Sequence, residues 1–231
     1  MKSIILHPTV LYALSDICAK DGLGRNIEYI QVKTFDRYTR YVATNGNMAM
    51  IVVVENDVKS NGEILIHREN AKKLFKPSKK DLADIEITAE KITQDESGIT
   101  YLIKEKNIAF KAPLEKYIDV ENLIEVNNIY GFPEDEPIDI LQKTEAKFDP
   151  ELLNKLKKAY FILCGQQKDL EKTITPKLFK SPSSELLHFY LIRKKLLPNE
   201  NWHAIAFLMP VTDPPDSDIS EHIDNFWNKI R

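Results

Sequence analysis

Apolar positions along the chain change rhythm several times, and each change marks an element. Ile4, Ile5 and Leu6 form a short run. After His7-Pro8-Thr9 the spacing shifts to three and four residues, with Val10, Leu11, Leu14, Ile17 and Cys18 on one helical face and Gly22 and Gly24 ending the helix. Residues 28–34 then alternate as a strand, Tyr29, Gln31 and Lys33 against Ile30, Val32 and Thr34. Residues 37–44 and 48–55 predict a hairpin around Asn45-Gly46, a dipeptide that suits a tight turn. The run Asn47-Met48-Ala49-Met50 behind that tip is unusual, because a turn alone does not require two methionines one residue apart.

The same order returns downstream. After Asn61-Gly62, residues 63–66 read as a strand. Residues 67–76 read as a helix with Ala71, Leu74 and Phe75 apolar, stopped by Pro77. Residues 85–88 with Ile92, then 100–104 and 107–111 split by Glu105-Lys106, give the following strands, and 117–126 closes this half. Residues 127–144, rich in acidic residues, Pro and turn formers, predict a link. Asp149-Pro150 then opens a helix over 150–163 as N-cap and first-turn proline, with Leu152, Leu153, Leu156 and Tyr160 inward. Strands are expected at 173–179, 186–193 and 203–211. A break at Asp213-Pro214-Pro215-Asp216 precedes an amphipathic tail carrying Ile219, Ile223, Phe226, Trp227 and Ile230.

The pattern predicts an α+β fold built from a weakly repeated β-α-βββ unit of about 60 residues, with helices on one face of curved antiparallel sheets. The expected division is a complete domain at 1–127, a linker at 128–144, a half domain at 145–212 and a tail at 213–231.

Composition narrows the function classes. The 231 residues are 43% hydrophobic and 29% charged, an ordinary globular balance. The net charge of -3 shows no global basic excess, although a local basic stripe can still act within an acidic chain. Cys18 and Cys164 both sit in apolar helical patterns and read as buried thiols of a reducing compartment. The short apolar start and the absence of a long apolar run point to a cytoplasmic protein. His7, His67, His188, His203 and His222 lack ligand spacing, and no nucleophile-elbow or phosphate-loop motif occurs. A small α+β enzyme therefore has no motif behind it, and no cofactor or metal is expected.

Four segments, in order, resemble the bacterial DNA polymerase III beta sliding clamp family. Ala43-Thr44-Asn45-Gly46-Asn47-Met48-Ala49 is similar to that family's A-T-D-G-H-R-L-A. Glu63-Ile64-Leu65-Ile66-His67-Arg68 resembles its strand-to-helix entry, and residues 114–124 its L-x-x-G-x-Y-P-D-Y closure. Ala206-Phe207-Leu208-Met209-Pro210-Val211 resembles its last strand, ending in Met-Pro. The chain departs from the pattern at Asn45, at Asn47-Met48, and at Ile118 and Glu125, where the family has prolines.

The resemblance implies a DNA clamp fold and a non-catalytic processivity factor of DNA replication or repair. Such a factor binds duplex DNA non-specifically, tethers a DNA polymerase or other clamp-binding proteins, and works as a homo-oligomer without a membrane. DNA-facing candidates are Lys20, Arg25, Lys72, Lys73, Lys76, Lys155 and Lys158, cations on or beside helices that could meet phosphates without base readout. The implied partner pocket comprises Thr44, Gly46, Met48 and Ala49 on one side and Met209, Pro210 and Val211 on the other. Its methionines suit a groove for varied apolar side chains, and Met48 and Met209 are expected to meet at the surface. Ile223, Phe226 and Trp227 are candidate docking residues of the tail. The competing reading is a clamp-fold interaction adaptor that does not encircle DNA.

Overall fold

A computed structural model describes residues 3–21, 26–55, 62–74, 87–118, 149–163, 177–180, 188–193 and 202–209. The first unit is β1 (Ser3–Leu6), α1 (Pro8–Leu14), β2 (Tyr29–Thr34), β3 (Tyr38–Thr44) and β4 (Met48–Glu55). The second repeats it as β5 (Gly62–His67), α2 (Arg68–Leu74), β6 (Ile87–Asp95), β7 (Gly98–Ile103) and β8 (Ile108–Ala112). A third run supplies α3 (Pro150–Leu163), β9 (Lys177–Lys180), β10 (His188–Arg193) and β11 (Trp202–Leu208).

The first two units exchange their leading strands. β1 leaves its own unit to pair with β6 in the sheet β1-β6-β7-β8, while β5 pairs with β2 in the sheet β5-β2-β3-β4-β11-β10-β9. Among the described residues every ladder is antiparallel. The third run joins the first at β4–β11, where Met48 faces Leu208, Ala49 faces Phe207 and Met50 faces Ala206.

Seven-residue helices such as α1 and α2 lie well below the length at which a helix holds itself in water. Packing supplies what length does not. α1 buries Val10, Leu11, Ala13 and Leu14, and lies against both α2 and α3. These side chains meet Ile30, Tyr41, Met48, Met50, Ile66, Leu156 and Leu208 in the main core between helices and sheets. Each fully buried aliphatic side chain contributes roughly 1.5–3 kcal/mol. The N-terminus of α1 is pinned to β3, where the His7 backbone N–H donates to the Tyr41 hydroxyl at 2.9 Å. At α3, Asp149 Oδ1 accepts the Glu151 N–H at 2.8 Å, the cap read from Asp149-Pro150.

Three expectations shift. α1 stops at Leu14, yet Ile17 and Cys18 stay buried in the turn that follows. His67 ends β5 rather than opening α2. β6 is one nine-residue strand whose ladder to β7 slips between Lys91 and Thr93, leaving Ile92 52% exposed. A bulge of this kind takes one residue out of the pairing, so the apolar rhythm breaks there. The expected linker, the closure beyond residue 118, Cys164 and the amphipathic tail lie outside the described residues.

Candidate functional site

The β3–β4 turn is centred on Gly46-Asn47, one residue later than the Asn45-Gly46 motif suggests. The Asn45 N–H donates to Met48 O at 3.0 Å, and Gly46 takes the first central position at φ +91°. Asn45 Oδ1 accepts from the N–H groups of Asn47 (3.0 Å) and Met48 (2.8 Å). Thr44 Oγ1 accepts from Gly46 N at 3.1 Å and donates to Met48 O at 2.8 Å. Asn45 therefore serves as a side-chain cap of the turn, which fixes the tip without any ligand.

β11 docks beside this tip. The Met209 N–H donates to Asn47 O at 3.0 Å, extending the β4–β11 ladder past Leu208. Thr44, Gly46, Ala49 and Met209 are thus brought together. Met48 joins them by backbone only: its side chain is 2% exposed and belongs to the main core with Met50 and Leu208. This corrects the expectation that Met48 and Met209 meet at the surface. Strand alternation is the cause, since Met48, Met50 and Val52 point toward the helices and Ala49, Ile51 and Val53 toward the opposite face. Pro210 and Val211 lie outside the described residues.

That opposite face carries a second apolar cluster: Val42, Ile51, Leu65, Tyr117 and Phe207, flanked by Tyr29, Ala49, Val53 and Ile118. Residues 113–118 cross the sheet here and are tied down where Asn26 Nδ2 donates to Glu115 Oε2 and to Lys116 O, both at 3.1 Å. Burial pushes the Tyr117 phenol well above its usual range. Sequence reasoning missed Phe207 and Tyr117 as members of this surface. Both stood inside quoted motifs, and strand parity from Ala49 was the signal that could have found Phe207.

Lys72 and Lys73 on α2 and Lys155 and Lys158 on α3 lie on the helix layer, with α1 packed between the two helices. Lys20 and Lys73 are exposed. Lys155 pairs with Glu151 one turn earlier at 3.1 Å. Lys72 on α2 and Lys158 on α3 converge on one carboxylate, Asp16, just beyond α1. Lys72 Nζ is 2.7 Å from Asp16 Oδ1, and Lys158 Nζ donates to Asp16 Oδ2. Burial opposes ionisation of Asp16, but the hydrogen bonds from Lys158 and Lys72 outweigh it and hold the carboxyl below its usual range. Asp16 carried no signal in the sequence pattern. Arg25, Lys76, Ile223, Phe226 and Trp227 lie outside the described residues.

Among the described residues, no three His, Cys, Asp or Glu side chains converge on a metal position, and no helix is long and apolar enough to cross a membrane. No family model matches the sequence, and no curated protein does. Solved structures do. The DNA polymerase III beta chain of Streptococcus pneumoniae is 12% identical, with a TM-score of 0.50 over 94% of this chain and 67% of that one. The DNA polymerase sliding clamp of Bacillus subtilis is also 12% identical, with a TM-score of 0.50 over 92% and 64%. The DNA polymerase III beta subunit of Thermotoga maritima is 9% identical, with a TM-score of 0.47 over 93% and 66%. The chain thus spans about two thirds of the length of the clamps it matches. With its exchanged leading strands and its helices gathered on one side of antiparallel sheets, the chain has the DNA clamp fold of the bacterial DNA polymerase III beta subunits.

Proposed function

We propose that the chain is a non-catalytic, sliding-clamp-like factor of cytoplasmic DNA replication or repair. It binds duplex DNA without sequence preference through its helix layer and tethers partner proteins through the opposite sheet face. In this reading residues 1–127 form a full clamp-like domain, residues 145–212 a half domain, and copies of the chain assemble into a homo-oligomer. The observation that carries the proposal is the clamp fold with Lys72, Lys73, Lys155 and Lys158 on the two helices flanking α1. Lysines at such positions suit phosphate contacts that position a duplex without reading bases. The partner surface is then Thr44, Gly46, Ala49 and Met209, with Phe207 and Tyr117 beneath it, and Pro210 and Val211 completing the segment.

The test is fluorescence anisotropy on a random-sequence duplex across a salt series. Affinity should fall steeply with salt, and reversing Lys72, Lys73 and Lys76 to Glu should abolish it. Unchanged binding after reversal would refute the helix assignment. Light scattering at high concentration tests assembly, with a strict monomer counting against it. A polymerase-type clamp-binding peptide should bind the wild type and lose affinity on Ala49→Arg. The second reading, an interaction adaptor that does not encircle DNA, is favoured by Asp16, which already occupies two of the lysines. It predicts peptide binding with no duplex binding at any salt.

A further inference from the structure

Resting on the duplex-binding reading above, we infer that Asp16 is a built-in phosphate substitute: a carboxylate at the centre of the helix layer that holds Lys72 and Lys158 until DNA displaces it. Three observations meet at this residue. It follows α1, the middle helix, and receives one lysine from each flanking helix. Its two oxygens are divided between them, Oδ1 to Lys72 and Oδ2 to Lys158, so both cations converge on one anionic group. The site also remains open to solvent, with the Asp16 side chain 21% exposed and that of Lys158 61% exposed. A phosphate approaching from outside can therefore reach the same two ammonium groups.

This arrangement has two consequences. The lysines are held in place before DNA arrives, so less side-chain freedom is lost when they engage it. Their charge is also partly cancelled, which weakens non-specific affinity. A factor that must move along DNA gains from both, because tight ion pairing with phosphates would oppose sliding.

The experiment compares wild type and Asp16→Asn in duplex anisotropy across a salt series. Removing the competing carboxylate frees two cations for phosphate. Affinity should rise several-fold at every salt, while the slope of log K against log salt stays that of the wild type, because displacement of Asp16 leaves the same phosphates neutralised in both. Adding Lys72→Gln and Lys158→Gln to the Asn variant should cancel the gain. An Asn variant with the affinity of a duplex-binding wild type, or with a slope steeper by about 1.8 (about 0.9 for each of two lysines), would overturn the inference and leave the duplex-binding reading standing. A wild type and Asn variant that both fail to bind would overturn the two together. Binding by the Asn variant alone would also overturn the inference, since Asp16 would then block phosphate rather than yield to it.

A second measurement does not depend on how the variant folds. Limited acetylation of the wild type, read by mass spectrometry, should modify Lys158 several-fold more slowly than the exposed Lys73. Hydrogen bonding to Asp16 raises the Lys158 pKa and keeps its amine protonated. Equal rates would overturn the inference.

Discussion

Replacing Met48 or Ala49 by Arg separates the two faces of β4 by one residue. Met48 lies at 2% exposure, across the ladder from Leu208 and within the main core. Deleting a buried methionine side chain costs about 2–5 kcal/mol. Placing an unpaired guanidinium there adds several kcal/mol more, because the charge loses its hydration and gains no partner. Against a total stability of about 5–15 kcal/mol, Met48→Arg should remove half or more. Ala49 is half-buried on the other face, next to Phe207 and beside the hairpin tip. An arginine there can lay its stem along apolar surface and keep its head in water, so Ala49→Arg should cost under about 1.5 kcal/mol. Urea denaturation measures both. With a slope near 2.5 kcal/mol per M, a loss of 4 kcal/mol lowers the midpoint by about 1.6 M. If the Met48→Arg midpoint stays within about 0.3 M of wild type while Ala49→Arg falls by more than 1 M, the assignment of faces is wrong.

Other substitutions test separate parts of the argument. Gly46→Ala meets no atom within 4 Å, so its cost is the left-handed backbone alone, about 1–2 kcal/mol. Gly98→Ala, at φ +148°, would place a Cβ 2.4 Å from Ala112 O and should destabilise considerably more; equal urea midpoints for the two would refute this. Burial pushes the Cys18 thiol up to about 12, so iodoacetamide at pH 8 should leave Cys18 unlabelled in the native protein and label it in urea. Native labelling at the unfolded rate would contradict its burial.

The Asp16 bridge predicts a pH window. The folded pKa of Asp16 lies below its unfolded value, so its contribution is full above the ordinary carboxylate range and lost as pH falls through the folded value. Lys158 is raised, so its share is full below the ordinary lysine value and lost as pH rises through the folded one. Each ion pair contributes at most about 1 kcal/mol, because its lysine is partly or largely exposed. Thermal melts of wild type and Asp16→Asn should differ most between these limits and converge in acid. A difference that persists at pH 2 would refute the bridge as its cause.

Much of the fold was legible because apolar spacing reports which face an element buries. Val10, Leu11 and Leu14 announced α1, and Asp149-Pro150 announced the start of α3. What spacing cannot report is a strand's partner. Nothing in Ile4-Ile5-Leu6 or Glu63-Ile64-Leu65-Ile66 shows that β1 and β5 exchange sheets, because pairing is decided by long-range packing. The face of Met48 was hidden for a related reason. From Ala49 to Val54 every residue of β4 is apolar, since both sides of the strand meet apolar partners, one side the helices and the other Tyr117 and Ile118. Without polar alternation there is no sign of which side is inward.

Because β4 is apolar on both faces, it connects the two candidate surfaces mechanically while keeping them chemically apart. Met48 and Met50 support α1 and α3 through the core, so they bear on the lysines only through helix position. Ala49 and Ile51 belong to the other face, with Phe207 and Tyr117. The four residues alternate along one strand, whose backbone is fixed by β3 on one edge and β11 on the other. A substitution on one face should therefore alter its own binding partner and reach the other only by destabilising the strand. Ala49→Arg should lower peptide affinity and leave duplex binding unchanged, while Asp16→Asn should raise duplex affinity and leave peptide binding unchanged. Equal loss of both activities from either substitution, in a protein whose urea midpoint is unchanged, would show that the two surfaces are one site.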